Sequence, residues 1–257
     1  MVAVAAMFVV PIVGFIAMAF RDQNNVAAGS DGFLGLGGLS WDNVVYSWDQ
    51  ITRFGPAGGG LFQRWILNSL QLAVVGGILA LVAALPAGYA LARLRFRWRK
   101  IWLFATLLAM VMPNTVLVIP LFLEVNAIGA VGQLWPVAVI MGFFPFGVYL
   151  SYIHFMTTMP PELVEAARID GLGELAIFFR IGLPISKQAI ALVAFFSFEL
   201  IGASPLFNAT VAAGLDVKLY MPQLALATVI SMVPLLIVFL GAQRFLVRGQ
   251  TVGAVKG

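Results

Sequence analysis

The feature that most constrains this chain is a series of apolar runs long enough to cross a membrane. Met1–Phe20 contains no charged residue, and neither does Leu67–Ala92. Further runs cover Ile101–Leu123, Leu134–Met156 and roughly Leu224–Phe245, and another begins near Ala189. A helix needs about 20 mostly apolar residues to cross the hydrocarbon core. The chain is 61% hydrophobic and 10% charged, where a soluble domain has about 45–50% and about 25%. A soluble chain of 257 residues has too little polar cover for so much apolar surface. Disordered chains are poor in apolar residues, and a chain without cysteine is no disulfide scaffold. Transmembrane strands would alternate over segments of about ten residues, whereas these runs are continuous. The expected fold class is all-α, a polytopic transmembrane bundle of six spans. Met1–Phe20 lacks a basic n-region and exceeds the length of a signal-peptide core. It reads as a true span whose natural N-terminal extension is missing or very short.

Charge becomes informative once it is placed on this topology. Arg93, Arg95, Arg97, Arg99 and Lys100 crowd the connection between the second and third spans. Arg168, Arg180 and Lys187 lie in the loop 157–188, and Arg244, Arg248 and Lys256 in the tail. These eleven positives face four on the other side, Arg21, Arg53, Arg64 and Lys218. The positive-inside bias puts the larger group in the cytoplasm, together with both termini. The basic stretch then reads as topogenic before it reads as a lipid or partner site. Nucleic acid is not an expected partner; the lipid bilayer is.

The outer segment 21–64 is rich in glycine, which argues for turns and loops. Within it, Trp41–Thr52 fits a short interfacial helix with Ser40 as N-cap. Trp41 and Trp48 read as headgroup anchors rather than as contacts for an external partner. In the second span Ala73, Gly76 or Gly77, Ala80, Ala84 and Ala87 or Gly88 form a stripe of small residues that admits a close helix neighbour. Pro86, Pro113 and Pro120 should bend their helices. Pro113 and Asn114 are candidate lining for a substrate pathway, with a packing kink as the alternative. His154 falls at the cytoplasmic end of the fourth span, where the interface can solvate it. A proton- or sodium-driven carrier keeps carboxylates or histidines at the membrane centre, and here Glu199 is the one candidate.

The loop 157–188 is the least membrane-like internal stretch, yet it carries helix signals. Pro161 suits a first helical turn, Glu162 and Glu165 suit the positive end of the dipole, and Gly171 suits a C-terminal cap. A helix over Pro161–Asp170 follows, with Leu163, Ala166, Ala167 and Asp170 on one face. A second helix, Glu174–Ile181, should stop before Pro184. A short capped helix of this kind can act as a rigid knob set into another protein.

Glu165-Ala166-Ala167, three residues, Gly171, nine residues, then Ile181-Gly182-Leu183-Pro184 resembles the EAA loop of permease subunits in bacterial ATP-binding-cassette (ABC) importers. Every fixed position of EAA-x3-G-x9-I-x-L-P is present. RWILNSL at 64–70, AGYALARLRFRWRK at 87–100 and the end from Gln243 are similar to the permease core and to the tail of maltose-permease-type sugar permeases. The resemblance covers about Arg64 to Gly257. It implies a type I ABC importer permease in a bacterial inner membrane. The first helix would cover 1–20, an external segment 21–64, the permease core 65–245 and a cytoplasmic tail 246–257. It also implies a coupling helix seated in an ATPase groove through Glu165, Ala166, Ala167, Gly171, Ile181, Leu183 and Pro184. The implied partners are a second homologous permease, two nucleotide-binding ATPases and an external solute-binding protein. The chain has no GxxxxGK[ST] loop, so ATP and magnesium would be bound by the partners, with no cofactor or catalytic role here.

The expected function is import of a sugar by alternating access. A polyol or glycerol-phosphate-type solute is the alternative within the same class, and a stand-alone secondary carrier is the alternative outside it. One departure stands out. Ala189–Phe198 supplies ten apolar residues, about 15 Å of helix, against a core of about 30 Å. The expected Trp-Asn segment is absent after it. Of two readings, a stretch omitted between Phe198 and Glu199 is preferred over a span that runs through Glu199 to about Leu206.

Overall fold

The computed structural model describes residues 2–22, 38–53, 60–202 and 221–253. Every regular element among them is helical. In chain order these are α1 (Val2–Ala19), α2 (Trp41–Thr52), α3 (Leu61–Arg93), α4 (Arg99–Val111), α5 (Asn114–Ala127), α6 (Leu134–Gly142), α7 (Pro145–Thr158) and α8 (Pro161–Ile169). They continue with α9 (Glu174–Ile185), α10 (Lys187–Gly202) and α11 (Met221–Gly253).

Three helical stretches are long and apolar enough to cross a membrane: Phe62–Arg93, Leu134–Thr158 and Pro222–Gln243. Two bent pairs bring the count to five if each is one span: α4 with α5, at 104°, and α9 with α10, at 79°. The expected first span is α1, an 18-residue helix with Pro11 inside it. Among the described residues, then, three to five candidate spans stand where the sequence suggested six.

The expected third span, Ile101–Leu123, is not one rod. Met112 takes an extended ψ of 124° and Pro113 stands as N-cap of α5. A residue before proline is pushed out of the α region by the pyrrolidine ring, so the helix stops and restarts in a new direction. Pro120, by contrast, lies inside α5, and Pro86 inside an unbroken α3. Pro145 opens α7 after a break at Phe143–Phe144. A proline at the first helical position loses no hydrogen bond.

The helices gather into two units. The first takes in residues 1–68 and 205–237. Its buried apolar cluster is Ala19, Ile51, Phe62, Ala225 and Leu226. Ser40 caps α2 as expected, its Oγ accepting from the Asp42 N–H at 3.1 Å. Asn43 Nδ2 donates to the Phe20 carbonyl at 3.0 Å, and Trp41 lies 5.7 Å from the Phe20 ring. Helix α2 is therefore fixed to the end of α1, with Trp41, Val45 and Trp48 exposed. The glycine-rich stretches 23–37 and 54–59 lie outside the described residues.

The second unit takes in residues 69–204 and 238–257. Here the stripe of small residues on α3 does what its spacing suggested. Ala73, Ala80 and Ala84 are buried, and Gly77 lies against Ser197 Oγ. A Cβ on Gly88 would collide with the Ser151 side chain and reach within 2.7 Å of the Tyr152 nitrogen, so α3 and α7 are close at this point. Ala80 and Ala84 pack with Phe144 and Val193 in one cluster. Close approach by small residues substitutes here for the hydrophobic drive that lipid cannot supply.

The backbone of α10 runs unbroken over Phe198 and Glu199 to Gly202. The α-helical geometry thus carries on past the end of the apolar run as far as Gly202. The Glu199 side chain and residues 203–220 lie outside the described residues.

Candidate functional site

The loop between α7 and α10 folds largely as its signals direct. Helix α8 has Pro161 at its first position and Glu162 in its first turn, and Asp170 closes it. Gly171 then takes φ +83°, a left-handed value that costs an L side chain and costs glycine nothing. The Leu172 N–H bonds back to the Ala167 carbonyl at 3.0 Å, and that of Gly171 to the Arg168 carbonyl. The turn after α8 is thereby closed.

Of the face expected to be shared by Leu163, Ala166, Ala167 and Asp170, three residues are exposed and Ala167 turns inward. Val164 and Ala167 are buried, while Leu163, Glu165 and Ala166 are exposed. Ile169 is 86% exposed. The inward face is thus set by Val164 and Ala167, one turn apart, and the outward face mixes carboxylates with aliphatic residues. Leu175 and Phe179, on α9, are exposed on the same loop.

Helix α9 continues through Pro184 instead of stopping before it. It does so by a π turn over Phe178–Gly182, where the Leu183 N–H reaches the Phe178 carbonyl five residues back. The wider turn makes room for the ring of Pro184 and spares the bond a proline cannot donate. The chain then bends at Ser186, a buried hydroxyl that donates to the Gly182 carbonyl at 2.6 Å. The motif residues Ile181, Leu183 and Pro184 therefore build this π turn and bend, and Glu165, Ala166, Ala167 and Gly171 build the knob.

Behind the knob lies the main apolar cluster of this unit. It joins Leu85, Tyr89 and Ala92 of α3 to Phe155 and Met159 at the end of α7. Val164 and Ala167 of α8, Ile177 and Phe178 of α9 and Ala189 of α10 complete it. Phe155 is fully buried, and Tyr89 meets it edge-on at 5.4 Å. Truncating a buried phenylalanine to alanine costs about 3–5 kcal/mol. The loop is therefore keyed to α3 as well as to its flanking helices.

Polar contacts reinforce this. Arg93 Nη2 donates to the Phe155 carbonyl at 2.6 Å and to the Met156 carbonyl at 3.2 Å. These are carbonyls in the last turn of α7, at the negative end of its dipole, and that of Phe155 also accepts from the Met159 N–H at 3.3 Å. Arg93 is thus a cap for α7. Arg168 Nε donates to Glu174 Oε1 at 2.7 Å, and the Tyr89 hydroxyl donates to Glu174 Oε2 at 3.2 Å. The hydrogen bond to Glu174 holds the Arg168 guanidinium above its ordinary pKa.

The sequence reading missed Tyr89, Arg93, Glu174, Phe155 and Phe178. A signal for two of them exists, because Tyr89 and Arg93 lie four apart on one helix face at the end of an apolar run. His154 is half-buried rather than freely solvated, with Nδ1 3.4 Å from Thr158 Oγ1. Pro113 is exposed at the break between α4 and α5, and the Asn114 side chain lies outside the described residues. Among the described residues no group of three His, Cys, Asp or Glu is placed to hold a metal ion.

Residues 76–252 match the family described as the binding-protein-dependent transport system inner membrane component. The chain belongs to that family. The permease is accordingly a multi-pass inner-membrane component and not an enzyme. It is 28% identical to the arabinooligosaccharides transport system permease protein AraQ of Halalkalibacterium halodurans, over 99% of this chain and 93% of that one. It is 31% identical to the maltodextrin transport system permease protein MdxG of Bacillus subtilis, over 77% of each. Its fold is similar to a crystal structure of a bacterial ABC transporter involved in the import of the acidic polysaccharide alginate. The TM-score is 0.74 at 20% identity, over 94% of this chain and 92% of that one.

Proposed function

We propose that the permease carries an oligosaccharide or smaller sugar across the inner membrane, driven by ATP hydrolysed in partner subunits and delivered by an external solute-binding protein. The observation that supports this best is the build of the 157–188 loop. A capped helix presents Leu163, Glu165 and Ile169 outward and is anchored behind by an apolar cluster drawn from α3, α7, α9 and α10. That is a knob able to pass displacement from a docked ATPase into the transmembrane helices. The partners in this reading are a second homologous permease, two ATPases that bind ATP and magnesium, and the binding protein; the family's dependence on a binding protein supports it.

The sugar class is supported by relatives whose names specify arabinooligosaccharides and maltodextrin. The chain spans the membrane six times in this reading, α1 included, with both termini and the coupling loop in the cytoplasm. The core is 65–245, preceded by the helix 1–20 and the external segment 21–64, and followed by the tail 246–257. Glu165, Ala166, Ala167, Gly171, Ile181, Leu183 and Pro184 serve coupling. The break at Pro113 and Asn114 borders the substrate pathway. Alternating access needs the partner's two states to bind α8 differently.

The test is purification of the tagged permease from its native membrane, followed by mass spectrometry of the bound subunits and sugar-dependent ATPase assays. An ATPase subunit and a sugar-binding protein are expected, with hydrolysis stimulated by the loaded binding protein. A complex without an ATPase would overturn the reading. Stimulation by a polyol and not by any sugar would overturn the substrate class.

A further inference from the structure

Glu174 stands between two helices that the loop itself does not connect. The loop joins α8 to α7 on one side and, through α9, to α10 on the other, so neither covalent path leads to α3. Yet one oxygen of Glu174 accepts from Arg168 on α8 at 2.7 Å, and the other accepts from Tyr89 on α3 at 3.2 Å. The Tyr89 ring is 3% exposed and is wedged against Phe155 and Phe178, at 5.4 and 5.3 Å. Its hydroxyl is therefore held in place. The Arg168 and Glu174 side chains are by contrast 38% and 41% exposed. A salt bridge that open adds little to stability. What it does is fix geometry, because an Arg–carboxylate contact is directional where apolar packing is not.

We infer that Glu174 is a positioning residue for coupling, tying the coupling helix to α3 through Tyr89 so that displacement of α8 reaches α3 directly. The inference rests on the proposed docking of α8 on an ATPase. The cluster behind α8 is built largely from aliphatic and aromatic side chains. Such a surface can slide by a small step without losing its contacts. The Arg168–Glu174–Tyr89 link cannot, since a slip of an ångström or so breaks a hydrogen bond. With the link intact, a stroke on α8 becomes a stroke on α3, whose small-residue stripe packs with the α6–α7 break and α10.

The experiment uses the complete transporter, with its ATPases and binding protein, in proteoliposomes. It measures sugar moved per ATP hydrolysed, alongside retention of the ATPase subunits. Y89F removes only the hydroxyl and keeps the ring in its cluster, so the fold is preserved. Y89F and E174A should each lower transport per ATP by about three- to tenfold, the worth of one or two hydrogen bonds. ATPase subunits should co-purify in full. The Y89F/E174A double variant should be no worse than E174A, because both break one link. E174Q, with one amide oxygen left to accept, should fall between E174A and the wild type. An unchanged ratio in Y89F, or losses that add in the double variant, would overturn the inference. Failure of the docking reading is seen separately, as absence of ATPase from the wild-type complex, and would take this inference with it.

Discussion

At Gly171 a single backbone torsion decides what the position tolerates. Its φ of +83° lies in the left-handed region, and a Cβ there would meet nothing within 4 Å. A substitution is therefore penalised by conformation and not by collision. Residues differ widely in that penalty: asparagine visits the region readily, and a β-branched residue there is an outlier. Gly171→Asn is expected to keep most of the uptake, and Gly171→Val to lose most of it, by roughly 1–2 kcal/mol of strain at the knob. Uptake normalised to permease in the membrane checks this. Equal activity in the two variants would mean that the turn does not need its left-handed residue. Gly88 poses the opposite problem, with space and not torsion as the limit. Gly88→Ala is expected to force α3 away from Ser151 and Tyr152, with a loss of about 1–3 kcal/mol by overpacking. Thermal unfolding of the detergent-solubilised protein measures it.

Helix α8 shows what the sequence pattern reveals about an element and what it withholds. Its start, its end and its left-handed cap were all legible, because Pro161, Glu162 and Gly171 act on the backbone within a turn of themselves. Its faces were not. Both Leu163–Ala166–Ala167 and Val164–Ala167 satisfy helical spacing, and the choice depends on which neighbours are present. Those neighbours, Tyr89 and Leu85, come from a helix far away in sequence. The same limit explains α9. Pro184 signals that the α-helical ladder must fail there, but not whether the chain stops or widens, as it does, into a π turn that starts at Phe178 in the common cluster. Two substitutions on α8 separate its inner and outer duties. Val164→Asp puts a carboxylate into the cluster and should lower permease stability by several kcal/mol, about what an uncompensated buried charge costs. Ile169→Asp, at an 86% exposed position, should leave the melting curve unmoved and abolish co-purification of the ATPase. A stable Ile169→Asp complex with ATPase still bound would place the docking surface elsewhere.

Over the whole molecule, the controlling fact is where apolar surface remains open. Val111, Ile119, Phe143 and Ile237 are all more than 60% exposed, and the candidate span Pro222–Gln243 has no buried residue from Ala227 to Gly241. A soluble monomer rarely leaves contiguous patches beyond a few hundred Å² uncovered, so these faces call for lipid or a partner subunit. The same logic supports the proposed orientation. Moving Arg95, Arg97, Arg99 and Lys100 across the hydrocarbon would cost a few kcal/mol per charge even on the lower insertion scales, roughly 2.5–3.5 each. In the proposed topology the loop before α4 therefore stays on the side where the chain was made. Because the protein has no cysteine of its own, single thiols can report this directly. Tyr46 on α2 is 54% exposed and Phe96 in the basic loop is 39% exposed. Tyr46→Cys is expected to react with a membrane-impermeant maleimide on intact cells stripped of any outer envelope. Phe96→Cys should react only after the membrane is opened. The reverse pattern would turn the molecule over and place the α8 knob outside, beyond the reach of any ATP-hydrolysing partner. Labelling of both thiols in sealed cells would break the proposed topology, in which a single membrane crossing, α3, separates α2 from the basic loop.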